Sequence, residues 1–263
     1  MAEKSINGPA TERVNVLGVG ISVLNLARAA KLMGDAIAKN LKGYIAVTGV
    51  HGVTEAQDDP EFRAILNNAY LCTPDGMPMV WMGKLAKHQF MDRVYGPDLM
   101  ELVCQTGVTK GWTHFFYGGA PGVAEELKAK LTARFPGIKI VGTYTPPFRP
   151  LNADEERSLA NRVSETKPDL FWVGLSTPKQ ERFMAAYLPK LDTKLMIGVG
   201  AAFDFHTGRV KQAPRWIQRS GFEWAYRISQ DPKRLWKRYA RNNPLFVLRV
   251  FLQKTGLRRY SLP

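Results

Sequence analysis

Residues 113–122 read THFFYGGAPG, an apolar run that ends in a glycine-rich loop, and Val123, Leu127 and Leu131 follow it at helical spacing. The run is rich in aromatic residues and is bounded by glycines, which predicts a buried strand. A strand, a short loop and a helix in this order form one unit of an alternating α/β fold. The stretch therefore predicts a parallel sheet that helices cover on both faces.

The same alternation extends across most of the chain. Five further runs have the β-branched or aromatic composition of strands: Tyr44–Thr48, Ala69–Thr73, Ile138–Gly142, Asp169–Gly174 and Lys194–Val199. A second helical pattern consists of Leu26, Ala30, Met33, Ile37 and Leu41. The predicted fold class is α/β, a Rossmann-like and mainly parallel sheet flanked by helices.

Composition limits the class of protein. The 263 residues are 45% hydrophobic, enough for one sizeable core. Cys72 and Cys104 are too few for a disulfide framework, which favours a reducing compartment. Met1–Asn15 has no apolar segment of the length that a signal peptide needs. We expect a cytoplasmic protein.

The net charge of +14 is concentrated at one end of the chain. Residues 207–263 contain fourteen lysines and arginines against Glu223 and Asp231, together with three tryptophans. We predict an α/β domain over residues 1–206 and a basic, Trp/Arg-rich C-terminal appendage over residues 207–263, where Pro232 and Pro244 should delimit short helical segments. Such an appendage suits nucleic acid, an anionic membrane surface or a phosphorylated substrate.

The loops that follow the strands are the places to look for chemistry, because ligands bind at the carboxyl ends of strands in open α/β sheets. In the loop Gly118–Gly122, Gly118, Gly119 and Gly122 expose backbone N–H groups, and Pro121 should occupy the first turn of a helix. That arrangement suits a diphosphate, although a tight turn that binds nothing explains it equally well. Tyr144, in the loop after the fourth of these strands, joins this substrate-binding set.

Several polar residues in these loops have two interpretations each. Asp75 is a candidate general base for a sugar hydroxyl, or a cap for the helix that follows. His51 could orient a sugar or phosphate, or be structural. Thr177 and Gln180 have the spacing of a capping box. Asp204 could accept a hydrogen bond from a nucleobase or ribose, or cap a turn.

The sequence contains no Asp-x-Asp, and its four histidines are not paired at metal-ligand spacing. We therefore expect no metal and no cofactor. Backbone N–H groups and arginines would then have to meet the charge of any diphosphate.

As an ordered set, these motifs resemble the WecG/TagA/CpsF family of bacterial glycosyltransferases, glycosyltransferase family 26, from about Val14 to Asn243. The matching stretches are residues 47–51 (VTGVH), 73–78 (TPDGMP), 116–122 (FYGGAPG), 174–181 (GLSTPKQE), 198–205 (GVGAAFDF) and 213–239. The resemblance implies a metal-independent, inverting enzyme that moves a sugar from a UDP-sugar to an undecaprenyl-diphosphate-linked sugar. The resemblance also implies that the enzyme acts at the inner face of the cytoplasmic membrane.

The resemblance also implies roles for individual residues. Asp75 is the base that deprotonates the acceptor hydroxyl, and Thr48 lies beside it in the same pocket. Gln180 and Asp204 belong to the donor site. A lid over the leaving diphosphate consists of arginines of the appendage: Arg215, Arg227, Arg234 and Arg238.

One departure concerns the donor. Many relatives have an Asn-Pro pair after the threonine, where this chain has Gly49-Val50-His51-Gly52, a variant associated with exopolysaccharide enzymes. Glucose is therefore a candidate donor sugar beside N-acetylmannosamine and its uronic acid.

Two other classes of function remain as alternatives. Nucleic-acid binding through the appendage is disfavoured, because no helix-turn-helix or zinc-finger spacing occurs. A non-catalytic scaffold of a polysaccharide assembly complex would have no reason to bind UDP. The basic appendage fits a peripheral position on anionic lipid, and it could also mediate homo-oligomerisation.

Overall fold

The computed structural model describes residues 11–262, and within that range it contains eight strands and twelve helices. The strands are β1 Arg13–Val16, β2 Val19–Ser22, β3 Gly43–Thr48, β4 Leu71–Pro74, β5 Thr113–Gly118, β6 Lys139–Tyr144, β7 Leu170–Gly174 and β8 Leu195–Gly198. The helices are α1 Leu26–Ala38, α2 Val50–Asp58, α3 Pro60–Asn68, α4 Met77–Leu85, α5 Gly96–Lys110, α6 Val123–Arg134, α7 Ala153–Thr166, α8 Lys179–Tyr187, α9 Ala202–Thr207, α10 Arg215–Ser220, α11 Glu223–Gln230 and α12 Pro232–Lys254. The expectation about Met1–Asn15 falls mostly on residues 1–10, outside the described residues.

The six predicted strands are confirmed as β3 to β8. They form one sheet in the order β4-β3-β8-β7-β5-β6, in which β5 pairs parallel with β6 and β7, and β7 pairs parallel with β8. Helices separate consecutive strands along the chain, so the predicted α/β class is correct. The sequence did not predict the antiparallel hairpin of β1 and β2.

The chain divides into two compact units. Of the described residues, the first unit contains 30–45 and 96–209, and the second contains 11–29, 46–95 and 210–262. The basic C-terminal residues thus belong to the same unit as two segments from the first third of the chain. The boundary at residues 206 and 207 stays a prediction.

In the first unit, the aromatic run of β5 forms the centre of the core. Phe115 and Phe116 are buried, and Phe115 stacks on Phe171 of β7 with 5.0 Å between ring centroids. Phe116 meets Phe203 of α9 edge to face at 5.8 Å. Each such fully buried side chain contributes about 2 kcal/mol through the hydrophobic effect.

In the second unit, α12 packs along α2. Asn242 and Phe246 of α12 are buried, and the Arg249 Nη2 lies 3.1 Å from Oδ1 of Asp58. At the β1–β2 hairpin, the backbone N–H of Leu17 donates to Oε1 of Gln253 at 3.2 Å. The C-terminal helix is therefore an integral part of this unit's packing.

The expectation that Pro244 ends a helical segment is wrong, because α12 runs through it from Pro232 to Lys254. Proline removes one helical hydrogen bond, but the burial of Asn242 and Phe246 on either side holds the backbone in the helix. Pro232 does stand in the first turn, where a missing N–H costs nothing. Among residues 11–262, no helix combines the length and the hydropathy that a bilayer crossing requires.

Candidate active site

In the second unit, Asp75 and Thr48 are brought together at the ends of neighbouring chain segments. Asp75 follows β4, and its backbone N–H donates to the carbonyl oxygen of Thr48 at 2.9 Å. A Cβ atom at Gly49 would lie 2.7 Å from the carbonyl oxygen of Asp75, so this close approach requires glycine. Gly76, at φ 88°, turns the chain into α4.

Asp75 does not cap the following helix, which was its alternative role. The N-cap of α4 is Gly76, and no side chain accepts a hydrogen bond there. The Asp75 Oδ1 is shielded from solvent and accepts no hydrogen bond, and the buried Thr48 Oγ1 has no partner either. Two adjacent polar groups therefore keep hydrogen-bonding capacity that a ligand could use.

Arg93, in the segment before α5, organises the charges around Asp75. Its Nη2 lies 2.5 Å from Oε2 of Glu223 and 3.6 Å from Oδ1 of Asp75. Its Nη1 donates to Oε1 of Gln218 at 3.4 Å, and its guanidinium lies 4.1 Å from the centroid of the Tyr95 ring. The Arg93 side chain is only 11% exposed, so these charges interact largely out of water.

Burial raises the pKa of the Asp75 carboxyl above its ordinary value. The positive charge of Arg93 opposes this rise, Glu223 adds to it, and Arg227 opposes it again. A carboxylate with a raised pKa is a stronger proton acceptor than an ordinary aspartate, which is what general base catalysis near neutral pH requires.

The structure distinguishes the four arginines that the resemblance assigns to a lid. Arg227 of α11 is partly buried, and its charge acts on Asp75 and on Tyr239. Arg238 of α12 is also partly buried, and this burial lowers the pKa of its guanidinium. By contrast, Arg234 is exposed and its Nε lies 2.6 Å from Oδ2 of Asp231.

Arg215, the fourth, begins α10 and is exposed. Among these four arginines, Arg227 is the one whose charge is found to act on Asp75.

His51 stands in the first turn of α2 and contacts α12. Its Nδ1 lies 2.7 Å from Nδ2 of Asn242 and 3.7 Å from Oε1 of Glu55. This nitrogen therefore ties two helices of the second unit together, as the structural alternative for His51 requires, and the role of His51 in substrate binding stays a prediction.

Sequence reasoning missed Arg93, Tyr95 and Glu223. Glu223 carried one available signal, since it is one of two acidic residues in a stretch with fourteen basic ones. Such an isolated acid is a candidate for a specific ion pair. Nothing in the local pattern of residues 92–96 distinguishes Arg93 from a surface arginine.

In the first unit, the glycine-rich loop has the backbone that only glycine adopts easily. Gly118, Gly119 and Gly122 have φ values of 121°, 78° and 82°. A Cβ atom at Gly118 would lie 2.5 Å from the carbonyl oxygen of Gly174. The prediction that Pro121 occupies the first helical turn is wrong, because the left-handed Gly122 is the N-cap and α6 begins only at Val123.

Pro121, Gly122 and Tyr144 line one groove with a volume of about 630 Å³. The Tyr144 ring stacks on Tyr117 with 5.7 Å between centroids. The remaining lining residues are Glu125, Thr145, Pro146, Pro147, Phe148 and Glu155. With two carboxylates and aromatic faces, this part of the groove suits the hydroxyl groups of a sugar or a ribose better than a diphosphate.

Gln180 is buried in α8 and ties this helix to the loop after β8. Its Oε1 accepts from the backbone N–H of Gly200 at 2.9 Å, and its Nε2 donates to Oε1 of Glu181 at 3.0 Å. The predicted capping box is wrong, because the Thr177 hydroxyl donates to Glu181 instead and α8 has no side-chain cap. Asp204 lies in the first turn of α9, four residues after Gly200.

Residues 14–260 match the Glycosyl transferase WecG/TagA/CpsF family, and the chain belongs to that family of glycosyltransferases. Two curated relatives come from Bacillus spizizenii and Bacillus subtilis strain 168. The first is 33% identical over 184 residues, 70% of this chain and 69% of the relative. The second is 28% identical over 202 residues, 77% of this chain and 76% of the relative. Both are N-acetylglucosaminyldiphosphoundecaprenol N-acetyl-beta-D-mannosaminyltransferases.

Proposed function

We propose that this protein is a metal-independent, inverting glycosyltransferase. It transfers a hexosyl group, glucose, N-acetylmannosamine or its uronic acid, from a UDP-sugar to an undecaprenyl-diphosphate-linked sugar. The product would enter an exopolysaccharide or another cell-envelope glycan. The observation that carries the proposal is the Asp75 carboxyl, with a raised pKa and an unbonded oxygen, beside Thr48 and within range of two arginines. The names of the two relatives support the class of acceptor.

The proposed chemistry is a single displacement. Asp75 takes the proton of the acceptor hydroxyl, and that oxygen forms a bond to the anomeric carbon of the donor sugar. The bond from the anomeric carbon to the UDP oxygen breaks at the same time, and its electron pair leaves with UDP. Because the nucleophile enters opposite the leaving group, the anomeric configuration inverts. Thr48 would orient the acceptor hydroxyl.

Negative charge develops on the departing diphosphate, and fixed positive groups would stabilise it more in the transition state than in the ground state. Arg227 is the best placed of the predicted lid residues, since its charge already acts on Asp75. Arg238 is the second candidate, because it is partly buried on α12. The N–H groups of the Gly118–Gly122 loop, together with Gln180 and Asp204, remain candidates for donor binding.

The surface of the basic C-terminal segment supports a peripheral position on the inner face of the membrane. Trp216, Phe222 and Trp236 are 73%, 63% and 61% exposed among lysines and arginines. Aromatic residues favour the headgroup region, and each basic residue near anionic lipid contributes about 1 kcal/mol. Sedimentation with phosphatidylglycerol vesicles, but not with phosphatidylcholine vesicles, is the expected result. A protein that sediments with neither kind of vesicle would contradict this position.

The enzymatic proposal is tested by measuring UDP release. The donors are UDP-glucose, UDP-N-acetylglucosamine, UDP-N-acetylmannosamine and its uronic acid, each with a prenyl-diphosphate-linked sugar, with and without EDTA. We expect turnover of one donor that depends on the acceptor and resists EDTA. No turnover of any donor, combined with no binding of UDP, would contradict the proposal and favour a scaffold.

A further inference from the structure

The Glu223 carboxylate forms an ion pair with Arg93, the arginine beside Asp75. Its side chain is 13% exposed, and its Oε2 lies 2.5 Å from Nη2 of Arg93. The same nitrogen lies 3.6 Å from Oδ1 of Asp75. The same guanidinium nitrogen of Arg93 therefore lies within bonding distance of Glu223 and only near Asp75.

We propose that Glu223 is a positioning residue that holds the Arg93 guanidinium back from Asp75, so that Asp75 keeps an oxygen for the acceptor hydroxyl. This inference rests on the proposed role of Asp75 as the base. An arginine bonded directly to a carboxylate occupies its lone pairs and stabilises its ionised form, and both effects weaken a base.

Two further contacts keep the guanidinium in its place. Gln218 accepts from Nη1 of Arg93, and its own Nε2 donates to the carbonyl oxygen of Ala213 at 2.7 Å, so this anchor is itself fixed. The Tyr95 ring lies against the guanidinium. Glu223 supplies the only charged member of this set, and it therefore determines toward which carboxylate Arg93 leans.

The titratable and charged groups that face Asp75 come from three parts of the second unit. Arg93 and Tyr95 precede α5, Glu223 and Arg227 lie on α11, and Tyr239 lies on α12. Loss of the Glu223 charge removes a negative neighbour of Asp75 and releases Arg93 toward it. Both changes act in the same direction, because each favours the ionised form of Asp75.

The test is the pH dependence of kcat in Glu223→Gln. We expect its acidic limb, where Asp75 becomes protonated, to move to lower pH by about one unit, with a lower plateau because the base is weaker. Glu223→Asp retains the charge and should keep the limb near its wild-type position. The matched control is Glu101→Gln, which removes one partner of an exposed ion pair with Arg134, also of 2.5 Å. It should leave the profile unchanged.

A second variant keeps the proposal testable if Glu223→Gln folds poorly. The double variant Arg93→Gln/Glu223→Gln also removes the arginine that Glu223→Gln releases. The acidic limb of its kcat profile should move above the wild-type pH, because Asp75 has lost the positive charge of Arg93. Opposite shifts in the single and double variants are the predicted pattern. An unmoved limb in Glu223→Gln, or shifts of the same sign in both variants, would overturn the positioning role.

A direct titration avoids the need for turnover. The carboxyl carbon of Asp75, identified by the signal lost in Asp75→Asn, should titrate at lower pH in Glu223→Gln than in the wild type. Failure of the two proposals is distinguishable. If Asp75→Asn keeps its turnover, the proposed base is wrong; if it loses turnover while the Asp75 titration ignores Glu223, only the positioning role is wrong.

Discussion

Arg93→Gln should be among the most destabilising polar substitutions in the second unit. Arg93 is 11% exposed and Glu223 13% exposed, and the substitution leaves the Glu223 and Asp75 carboxylates facing each other without their shared cation. The attraction of Arg93 to each carboxylate can be scaled from Coulomb's law, since two unit charges about 4 Å apart interact by about 4 kcal/mol at an effective dielectric constant of about 20. The cost of removing the charges from water offsets part of this Coulomb energy. The Asp75 side chain is 32% exposed, so solvent also screens its interaction with Arg93.

Removing one partner of a largely buried ion pair lowers the free energy of unfolding by about 3 kcal/mol. For a chain of this length, that corresponds to a fall in Tm of about 6–12 °C. The assay is thermal unfolding at pH 8, followed by circular dichroism. The matched control is Arg134→Gln, whose ion pair with Glu101 has the same 2.5 Å separation but 51% and 41% exposure. It should cost less than about 1 kcal/mol.

The effect also has a predicted pH dependence. Burial already raises the pKa of Asp75, and loss of Arg93 raises it further. A carboxyl whose folded-state pKa lies above its unfolded value destabilises the fold above that folded pKa, and the penalty shrinks as the pH falls from the folded pKa toward the unfolded one. The Tm deficit of Arg93→Gln should therefore be smaller at pH 5 than at pH 8. Equal Tm losses in Arg93→Gln and Arg134→Gln, or a deficit that grows toward pH 5, would refute this reasoning.

Two further predictions concern the first unit. Gly118→Ala should lower the free energy of unfolding by more than about 2 kcal/mol, because its Cβ atom would lie 2.5 Å from the carbonyl oxygen of Gly174. The control is Gly122→Ala, which also has a positive φ but no atom within 4 Å of the added Cβ. It should lower the free energy of unfolding by only about 1 kcal/mol. Similar losses in urea unfolding would contradict the close approach. Burial lowers the pKa of His114 to about 4, so its contribution to stability is present above pH 6.5 and is lost as the pH falls toward 4, with a slope of up to about 1.4 kcal/mol per pH unit. His114→Asn, whose amide oxygen takes the place of Nδ1 as the acceptor for the Trp172 N–H, should flatten that part of the stability profile, and an unchanged slope would argue against His114 as its source.

The sheet was predictable because its strands are short apolar runs between glycines and polar residues. β5 and β7 are buried on both faces except for one terminal residue each, so their sequences carry a strong signal. The β1–β2 hairpin was not predictable, since its turn places the non-glycine Leu17 at φ 54°, which no turn preference indicates.

The basic C-terminal segment was predictable as helical but not as part of a core. Only Leu235, Asn242 and Phe246 of α12 are buried, so most of the helix surface is polar or exposed, and one of the three buried residues is itself polar. Such a pattern is typical of a solvated helix. What fixes α12 in place is a set of long-range polar contacts, such as the one from Asn242 to His51, 191 residues away.

The candidate site shows the same limit. Thr48 is the last residue of β3 and Asp75 directly follows β4, so general rules about sheet edges point to both residues. Arg93 and Glu223 are 130 residues apart and meet only after folding, so no local pattern predicts their pairing. Tertiary structure alone reveals that an acidic residue of the basic segment pairs with the arginine beside Asp75.

The turnover of Asp75→Asn, measured together with its affinity for UDP, tests the central claim most directly. Loss of a general base should reduce kcat by about 10²–10⁴-fold, while the fold and the binding of UDP remain, because the substitution keeps the shape of the side chain and removes only its proton-accepting charge. A variant that binds UDP and turns over within a few-fold of the wild type would contradict the assignment of Asp75 as the base.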